Sequence, residues 1–377
     1  MIEIERELVK LRQADCLRAL PAAAPDAMVN LSTNDYLGLA DRADLMDEFL
    51  GQYAPRTSSM SASSSRLLTG NHAEYAELEA ELSDLYGGRA ALVFNCGYHA
   101  NAGILPALAD KDDTIIADKL IHASLIDGMR LCAANGTSTL RFNHNDMGHL
   151  RRLLERGKGA AGRTFVVVES IYSMDGDKAP LEELAEMRRQ YGFWLYVDEA
   201  HGVGARGREG EGLMGELGLL DSADIIIGTC GKALASEGAW AITSPTVREW
   251  LVNRCRTLIF TTGLPPINVA WTRHIVRRTR GMAGERAHLQ ELGQWLTESL
   301  GGASEANGAT HIVPHLCGEN ATAVALAAKL RAEGFYVLPI RHPTVPLGQA
   351  RLRLSLKANM TKDELKPLVS IIKNTTL

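Results

Sequence analysis

An α/β fold with a mostly parallel seven-stranded sheet, followed by a smaller α+β C-terminal domain, is the architecture this sequence predicts. Three observations predict it. Seven strand-length apolar runs recur between residues 91 and 243, and helix-length segments separate most of them. Alternation of this kind builds a mostly parallel sheet covered by helices on both faces. Most of the runs are continuously apolar rather than alternating, as in Thr164-Phe165-Val166-Val167-Val168-Glu169, which fits strands buried on both sides. After about residue 275 the pattern changes to one long charged helix and then shorter strands and helices.

Taken in order, residues 1–20 read as a helix, with Leu8, Leu11 and Leu17 among charged residues, and Pro21 to Pro25 ends it. Asn30 to Leu39 reads as a short strand and a turn. Ser58 to Ser65 is serine-rich but leads into Arg66-Leu67-Leu68-Thr69-Gly70-Asn71-His72, so it reads as an ordered loop. From Ala73 the spacing of Tyr75, Leu78, Leu82 and Leu85 predicts a helix, which Gly87-Gly88 stops. The seven strands are expected at 91–94, 114–117, 139–142, 164–169, 193–197, 225–228 and 239–243, with helices near 100–109, 122–134, 146–156 and 181–191. A further helix is expected at 245–258, broken by Thr261 to Pro266. Beyond it, helices near 284–300, 320–333 and 361–374 and strands near 311–314, 336–339 and 351–356 make the smaller unit. The implied division is an N-terminal segment 1–40, a large domain 41–275 and a small C-terminal domain 276–377.

The chain has 377 residues, 46% of them hydrophobic, enough for a large core. Its 40 basic and 45 acidic residues balance to a formal charge of -5, so nothing points to a nucleic-acid or membrane surface. The six cysteines are dispersed without CxxC spacing, which favours a reduced, cytoplasmic setting over zinc or disulfides. Met1 to Arg12 has no apolar core of signal-peptide type. No apolar run reaches the roughly 20 residues of a membrane span.

The chemistry concentrates at two strand ends. Ile225-Ile226-Ile227 leads into Thr229-Cys230-Gly231-Lys232, which places a lysine in the loop after a buried strand. Sheets of this kind bind ligands beyond the carboxyl ends of their strands. An amine there can form a Schiff base with a carbonyl. Upstream, Trp194-Leu195-Tyr196-Val197 ends in Asp198, with His201 three residues later. A lysine, an acid and a histidine at neighbouring strand ends are the parts of a pyridoxal 5'-phosphate (PLP) site.

Three other motifs compete. Asp198-Glu199-Ala200-His201 spells a helicase acidic box, but no GxxxxGK[ST] phosphate loop accompanies it. Gly202-Val203-Gly204-Ala205-Arg206-Gly207 matches the dinucleotide fingerprint GxGxxG, but Gly210, Gly212 and Gly215 follow where a helix would have to start. Binding or turnover of NAD(P)H would reveal that alternative. His144 and His149 could be a metal pair, but five-residue spacing on a loop suits solvated histidines better, and no metal is expected.

Six stretches together resemble the α-oxoamine synthases, which are fold-type I PLP-dependent transferases with the aminotransferase class I/II fold. They are Asn34-Asp35-Tyr36-Leu37-Gly38, Asn95-Cys96-Gly97-Tyr98-His99-Ala100-Asn101, His122-Ala123-Ser124, Ser173-Met174-Asp175-Gly176-Asp177, Asp198 to Gly202, and Thr229 to Lys232. The resemblance runs from about residue 14 to residue 356, in matching order and spacing. Within the family, Met174 to Leu181 is most similar to the 8-amino-7-oxononanoate synthases of biotin synthesis. The resemblance implies a decarboxylating condensation of L-alanine with pimeloyl-CoA or a pimeloyl-acyl carrier protein. Glycine C-acetyltransfer, or another reaction of the family, is the alternative.

The resemblance also implies roles. Lys232, His122 and Asp198 are the catalytic set. Lys232 would hold PLP and then move the substrate's α-proton, since the displaced amine sits beside the substrate Cα. Asp198 would face the pyridine nitrogen and keep it protonated. His201 would bond the phenolic oxygen, and His122 would stack on the ring and assist at the thioester. Gly97 and Tyr98 would offer backbone N–H groups to the phosphate at a helix start. Ser173 and Thr229 would supply hydroxyls near the cofactor. Thr261 and Thr262 would reach the partner subunit's phosphate, implying a homodimer with active sites at its interface. Arg18, Asn34, His122, Thr344 and Arg353 would contact substrate, with the planar fork of Arg353 receiving the amino-acid carboxylate. One stretch departs from the family: Ala233-Leu234-Ala235-Ser236-Glu237-Gly238 replaces a glycine-rich run, which predicts a stiffer, more charged loop.

Overall fold

The structure is a computed structural model and describes residues 2–14, 16–21, 23–25, 27–53, 59–159, 161–302 and 309–375. Met1, Asp15, Ala22 and Ser58, which fall in the expected first helix, the break after it and the serine-rich loop, lie outside the described residues. In chain order the helices are α1 (Ile2–Gln13), α2 (Ala43–Gln52), α3 (Ala73–Leu85), α4 (Gly97–Leu108), α5 (Ala123–Ala134), α6 (Met147–Arg156), α7 (Leu181–Tyr191), α8 (Leu213–Glu216), α9 (Pro245–Arg254), α10 (Arg256–Ile259), α11 (Pro266–Arg280), α12 (Ala283–Ser299), α13 (Asn320–Ala332) and α14 (Lys362–Lys373). The strands are β1 (Val29–Asn30), β2 (Ala90–Phe94), β3 (Thr114–Asp118), β4 (Ser138–Phe142), β5 (Thr164–Glu169), β6 (Trp194–Asp198), β7 (Ile225–Thr229), β8 (Ala239–Thr243), β9 (Ile312–Gly318), β10 (Phe335–Tyr336), β11 (Pro339–Ile340) and β12 (Ala350–Ser355).

Two compact units form. The larger takes residues 37–173 and 178–286; the smaller takes residues 1–36, 174–177 and 287–377. In the larger unit a seven-stranded sheet runs in the order β2-β8-β7-β6-β5-β3-β4. Only β8 is antiparallel to its neighbours. The sheet is buried along nearly the whole length of its inner strands, as the continuous apolar runs require. On one side Leu92, Ile115, Phe165 and Tyr196 pack with Ile104 and Leu105 of α4 and Leu125 of α5 in a single cluster. Gly228 in β7 lies opposite Trp240 in β8, and a Cβ there would come 2.3 Å from the indole. Only glycine lets that ring lie against the strand, one residue before Thr229.

The smaller unit contains an antiparallel sheet in the order β11-β12-β9 and a two-stranded parallel pair, β1 with β10. Helix α14 starts with a capping box in which Thr361 and Glu364 satisfy each other's backbone N–H groups.

Four expectations need correction. The first helix ends at Gln13, because the Leu11 carbonyl accepts both the Cys16 and Leu17 N–H groups and closes the turn. Arg18 therefore follows the helix rather than riding on it. The 245–258 helix is broken at Cys255, whose φ/ψ of -76/102 is extended, so α9 ends and α10 begins there. The strand near 336–339 is two pieces: β10 pairs with β1 and β11 with β12. The expected break is one residue too long: it holds over 261–265, and helix α11, which was not expected, starts at Pro266. Pro266 sits in its first turn, where a missing N–H costs nothing.

Candidate active site

Strands β5, β6 and β7 are parallel, so their carboxyl ends emerge together, with Glu169 opposite Asp198 and Asp198 opposite Ile227. From β6 the chain passes through Glu199 and Ala200 to His201; from β7 it passes through Thr229 to Lys232. The two exits bring Lys232 Nζ within 2.8 Å of His201 Nε2. His201 is buried and Lys232 half-buried.

The loop that carries Lys232 closes on itself. The Cys230 N–H donates to the Gly238 carbonyl, Ser236 N–H to Cys230, and Ala235 N–H to Lys232. Ala235 takes a left-handed φ of 44°, a conformation that costs a non-glycine residue about 1–2 kcal/mol. Glu237 points to solvent.

Asp198 is 4% exposed, and both carboxylate oxygens are engaged. Oδ1 accepts the Ala200 N–H at 2.9 Å, and Oδ2 accepts Asn101 Nδ2 at 2.7 Å. His122 is the N-cap of α5; its Nδ1 accepts the Ser124 N–H at 3.2 Å and lies 2.7 Å from Ser124 Oγ. Loss of hydration holds His122 below the ordinary histidine value, Asp198 opposes that shift and Lys232 adds to it. The loop before His122 is shaped by Asp118, fully buried, which accepts the N–H groups of Leu120 and Asn145 and pairs with His144 Nδ1 at 2.9 Å. His144 is thus a tethered residue rather than a solvated one, and His149 separately accepts the Asn143 N–H. Among the described residues no cluster of three metal-ligating side chains occurs.

Helix α4 begins beside this group. Cys96 caps it, and helix geometry leaves the Gly97 and Tyr98 N–H groups without an intrahelical acceptor. A Cβ built on Gly97 would lie 3.8 Å from the Thr229 side chain, so the helix start and the end of β7 adjoin. The Tyr98 side chain is exposed and its hydroxyl bonds Asp127. Asn95 Nδ2 donates to the Thr262 carbonyl at 2.7 Å, which places the Thr261-Thr262 segment beside the entry to α4. Ser173 is half-buried in the segment after β5.

The remaining expected site residues lie in the smaller unit and form two groups. Arg18 Nη2 donates to Thr344 Oγ1 at 2.8 Å, and both line a cavity of about 290 Å³ with Cys16, Leu338, Ile340 and Arg341. Arg353 Nη2 donates to Tyr36 OH at 3.1 Å and Nη1 to Ser355 Oγ at 2.5 Å; Tyr36 OH in turn donates to Asn34 Oδ1 at 2.9 Å. Burial pushes the Tyr36 phenol up, while Arg353 pulls it down.

Sequence reasoning assigned no role to Asn101, Ser124, Tyr196, Glu169 or Glu199. Asn101 interrupts the apolar face of α4 and is only 2% exposed; an amide among Ala100, Ile104 and Leu105 was the available signal. Glu169 ends a strand as Asp198 does. It is 2% exposed, its Oε1 has no hydrogen-bond partner, and burial, reinforced by Asp198, raises it well above the ordinary glutamate value.

Glu199 accounts for Gly202, the first glycine of the stretch that mimics a dinucleotide fingerprint, and for Gly212 beyond it. Its fully buried carboxyl accepts the Met214 N–H at 2.6 Å and meets Ser170 Oγ at 2.5 Å. A Cβ on Gly202 would come 1.9 Å from its Oε2, and one on Gly212 would come 2.8 Å from the carboxyl. The loop wraps this acid rather than a pyrophosphate. Burial raises Glu199 from 4.5 to about 7. The unfolded chain therefore releases this proton first as pH rises, so the folded state loses relative stability between pH 4.5 and about 7. Glu199→Gln keeps one acceptor and one donor without the charge. Its stability advantage over the parent is expected to grow from near zero below pH 4.5 to roughly 3 kcal/mol above pH 7, at about 1.36 kcal/mol per pK unit. Urea denaturation across that range checks it; a difference independent of pH would refute the assignment.

The family model described as aminotransferase class I and II matches residues 26–372. The 8-amino-7-oxononanoate synthase of Chlorobaculum parvum is 46% identical over 386 residues, spanning 98% of this chain and 98% of the relative. A putative 8-amino-7-oxononanoate synthase of Haemophilus influenzae is also 46% identical, over 92% of this chain and 90% of the relative. Among solved structures, a serine palmitoyltransferase from S. paucimobilis with PLP and myriocin bound gives a TM-score of 0.86 at 27% identity, covering 98% of this chain and 96% of that one. An 8-amino-7-oxononanoate synthase from Francisella tularensis gives 0.77 at 26% identity, covering 92% and 97%.

Proposed function

The chain belongs to the aminotransferase class I and II family, in its α-oxoamine synthase branch, and we propose that it is a PLP-dependent acyltransferase that condenses L-alanine with a pimeloyl thioester, releasing 8-amino-7-oxononanoate, carbon dioxide and the free thiol. The observation that carries this reading is the convergence of Lys232, His201 and Asp198 at adjacent strand ends, with Lys232 Nζ 2.8 Å from His201 Nε2.

The donor set fits PLP group by group. A primary amine suits the aldehyde, the buried Asp198 carboxylate suits the pyridinium, and the first-turn N–H groups of α4 suit a phosphate. In this reading His201 serves the phenolic oxygen, His122 the ring face, and the hydroxyls of Ser173 and Thr229 the cofactor's rim. PLP, when bound, supplies an electron sink for the carbanion formed at the amino acid's Cα. Lys232 carries the α-proton away and returns it, as its place beside the substrate requires. Arg353, braced by Tyr36 and Ser355, takes the amino-acid carboxylate with its planar fork, and Asn34 stands behind Tyr36. Arg18 and Thr344 take the acyl substrate. We further propose a cytoplasmic homodimer. Six free cysteines support a reducing compartment. The resemblance of the Thr261-Thr262 segment to one that reaches a partner subunit supports the dimer; sedimentation velocity of the holoenzyme is the check.

Substrate choice has a physical basis. Each buried methylene contributes roughly 0.8 kcal/mol, so a pimeloyl chain in an apolar channel outbinds acetyl, provided its distal carboxylate meets water or a cation. The Arg18–Thr344 cavity offers both a cation and apolar walls. In a competition assay read by mass spectrometry, pimeloyl-CoA with L-alanine is expected to give the highest kcat/KM and acetyl-CoA with glycine little product. The reverse preference would move the protein to glycine C-acetyltransfer and leave the PLP assignments standing.

A further inference from the structure

Asn101 joins the two halves of the candidate site. It lies one turn into α4, the helix whose first turn carries Gly97 and Tyr98. Its Nδ2 donates to Asp198 Oδ2 at 2.7 Å and to Ser124 Oγ at 3.0 Å, and its Oδ1 lies 2.8 Å from Tyr196 OH. The orientation of the amide follows from its partners. A carboxylate can only accept, so the NH₂ group must face Asp198 and the oxygen must face the Tyr196 hydroxyl, which donates.

The next links are fixed in the same way. Ser124 Oγ accepts from Asn101, so its own hydrogen is available for His122 Nδ1, 2.7 Å away. The Ser124 backbone N–H also points at that nitrogen, at 3.2 Å. Two donors converge on Nδ1, which makes it the acceptor and leaves the neutral imidazole's proton on Nε2. The members Asn101, Ser124, Asp198 and Tyr196 are all buried. A network of this kind holds one arrangement, because any reversal strands a buried donor or acceptor.

We propose that Asn101 is a positioning residue that fixes the Asp198 carboxylate and, through Ser124, the tautomer and ring orientation of His122. The PLP-dependent part of this proposal rests on the function proposed above; the tautomer part does not.

The test uses Asn101→Ala and Ser124→Ala in the full-length protein. Without cofactor, ¹⁵N NMR of histidine-labelled protein is expected to show His122 of the parent with its proton on Nε2, and a mixture of tautomers in both variants. With PLP, Asn101→Ala is expected to weaken cofactor binding, measured by equilibrium dialysis, and to lower kcat. Each fall is about tenfold to a hundredfold, the size of a lost bond to a charged group. KM for L-alanine should stay within about threefold, because Asn101 reaches no substrate in this arrangement. Ser124→Ala, which leaves Asp198 alone, should lower kcat but keep PLP affinity. A folded Asn101→Ala protein with the parent's His122 tautomer and PLP affinity would overturn the proposal. If that variant does not fold, Tyr196→Phe frees the amide oxygen instead and should shift the tautomer ratio in the same direction; an unshifted ratio there would equally overturn it. A normal tautomer effect combined with no PLP binding by the parent would reject the cofactor reading and spare the network.

Discussion

Lys232→Ala protein is expected to fold, to lose the visible absorption band of bound cofactor, and to lose at least about a thousandfold in turnover. The size follows from the two tasks of one amine. In the proposed function Lys232 both attaches the cofactor and moves the substrate's α-proton, and no described neighbour duplicates its geometry. His201 Nε2 lies 2.8 Å from Nζ but is buried and engaged there. Stability should change little, because the side chain is half-buried in a loop held by its own backbone hydrogen bonds. The comparison is best made between cofactor-free parent and cofactor-free variant, since bound ligand stabilises only the protein that binds it. Borohydride reduction of the parent followed by peptide mapping gives the direct assignment. An adduct on any lysine other than Lys232 would remove it from this role.

Lys232 and Asp198 were legible in the sequence because they close continuous apolar runs, and a buried parallel strand can hardly be written otherwise. The same property located six of the seven strands of the large sheet to within about a residue; the seventh, the edge strand β4, is mostly exposed. Helix α11 was hidden because Pro265-Pro266 reads as a breaker unless Pro266 is known to occupy the first turn. Helix α2, with only Leu45 and Phe49 buried, presents too narrow an apolar face to stand out. The support around the catalytic candidates was illegible for a different reason. Glu169 matters because the register sets it opposite Asp198, and Ser124 because a helix N-cap turns it toward His122. Such relations exist only once strands and helices have been placed. The glycines from Gly202 to Gly212 show the converse: their spacing imitates a nucleotide motif, whereas close approach to the buried Glu199 carboxyl excludes side chains at Gly202 and Gly212, and Gly204, Gly207 and Gly210 take positive φ.

Asp198→Asn is expected to fold, to lose about 1–3 kcal/mol of stability, and to lose about a hundredfold to ten-thousandfold in turnover. Both losses follow from what Asp198 touches. Its two oxygens accept from the Ala200 N–H and from Asn101 Nδ2. A carboxamide supplies only one oxygen, so its NH₂ must oppose one of these donors, or Asn101 must flip and surrender its bond from Tyr196. The loss in turnover has a separate origin: a neutral amide cannot stabilise a positive pyridine nitrogen, on which PLP's capacity as an electron sink depends. The two effects can be pulled apart by exchanging the partners. In the double variant Asp198→Asn with Asn101→Asp, a carboxylate again faces an amide, so most of the stability should return. The charge then sits on α4, one hydrogen bond removed from the strand end, and turnover should not return. Exchange of L-alanine's α-proton in deuterium oxide, followed by NMR, reads the chemical step without the acyl donor. Near-parental exchange in Asp198→Asn would mean that another acid serves the ring, and restored exchange in the double variant would mean that the hydrogen bond, rather than the position of the charge, is what catalysis requires.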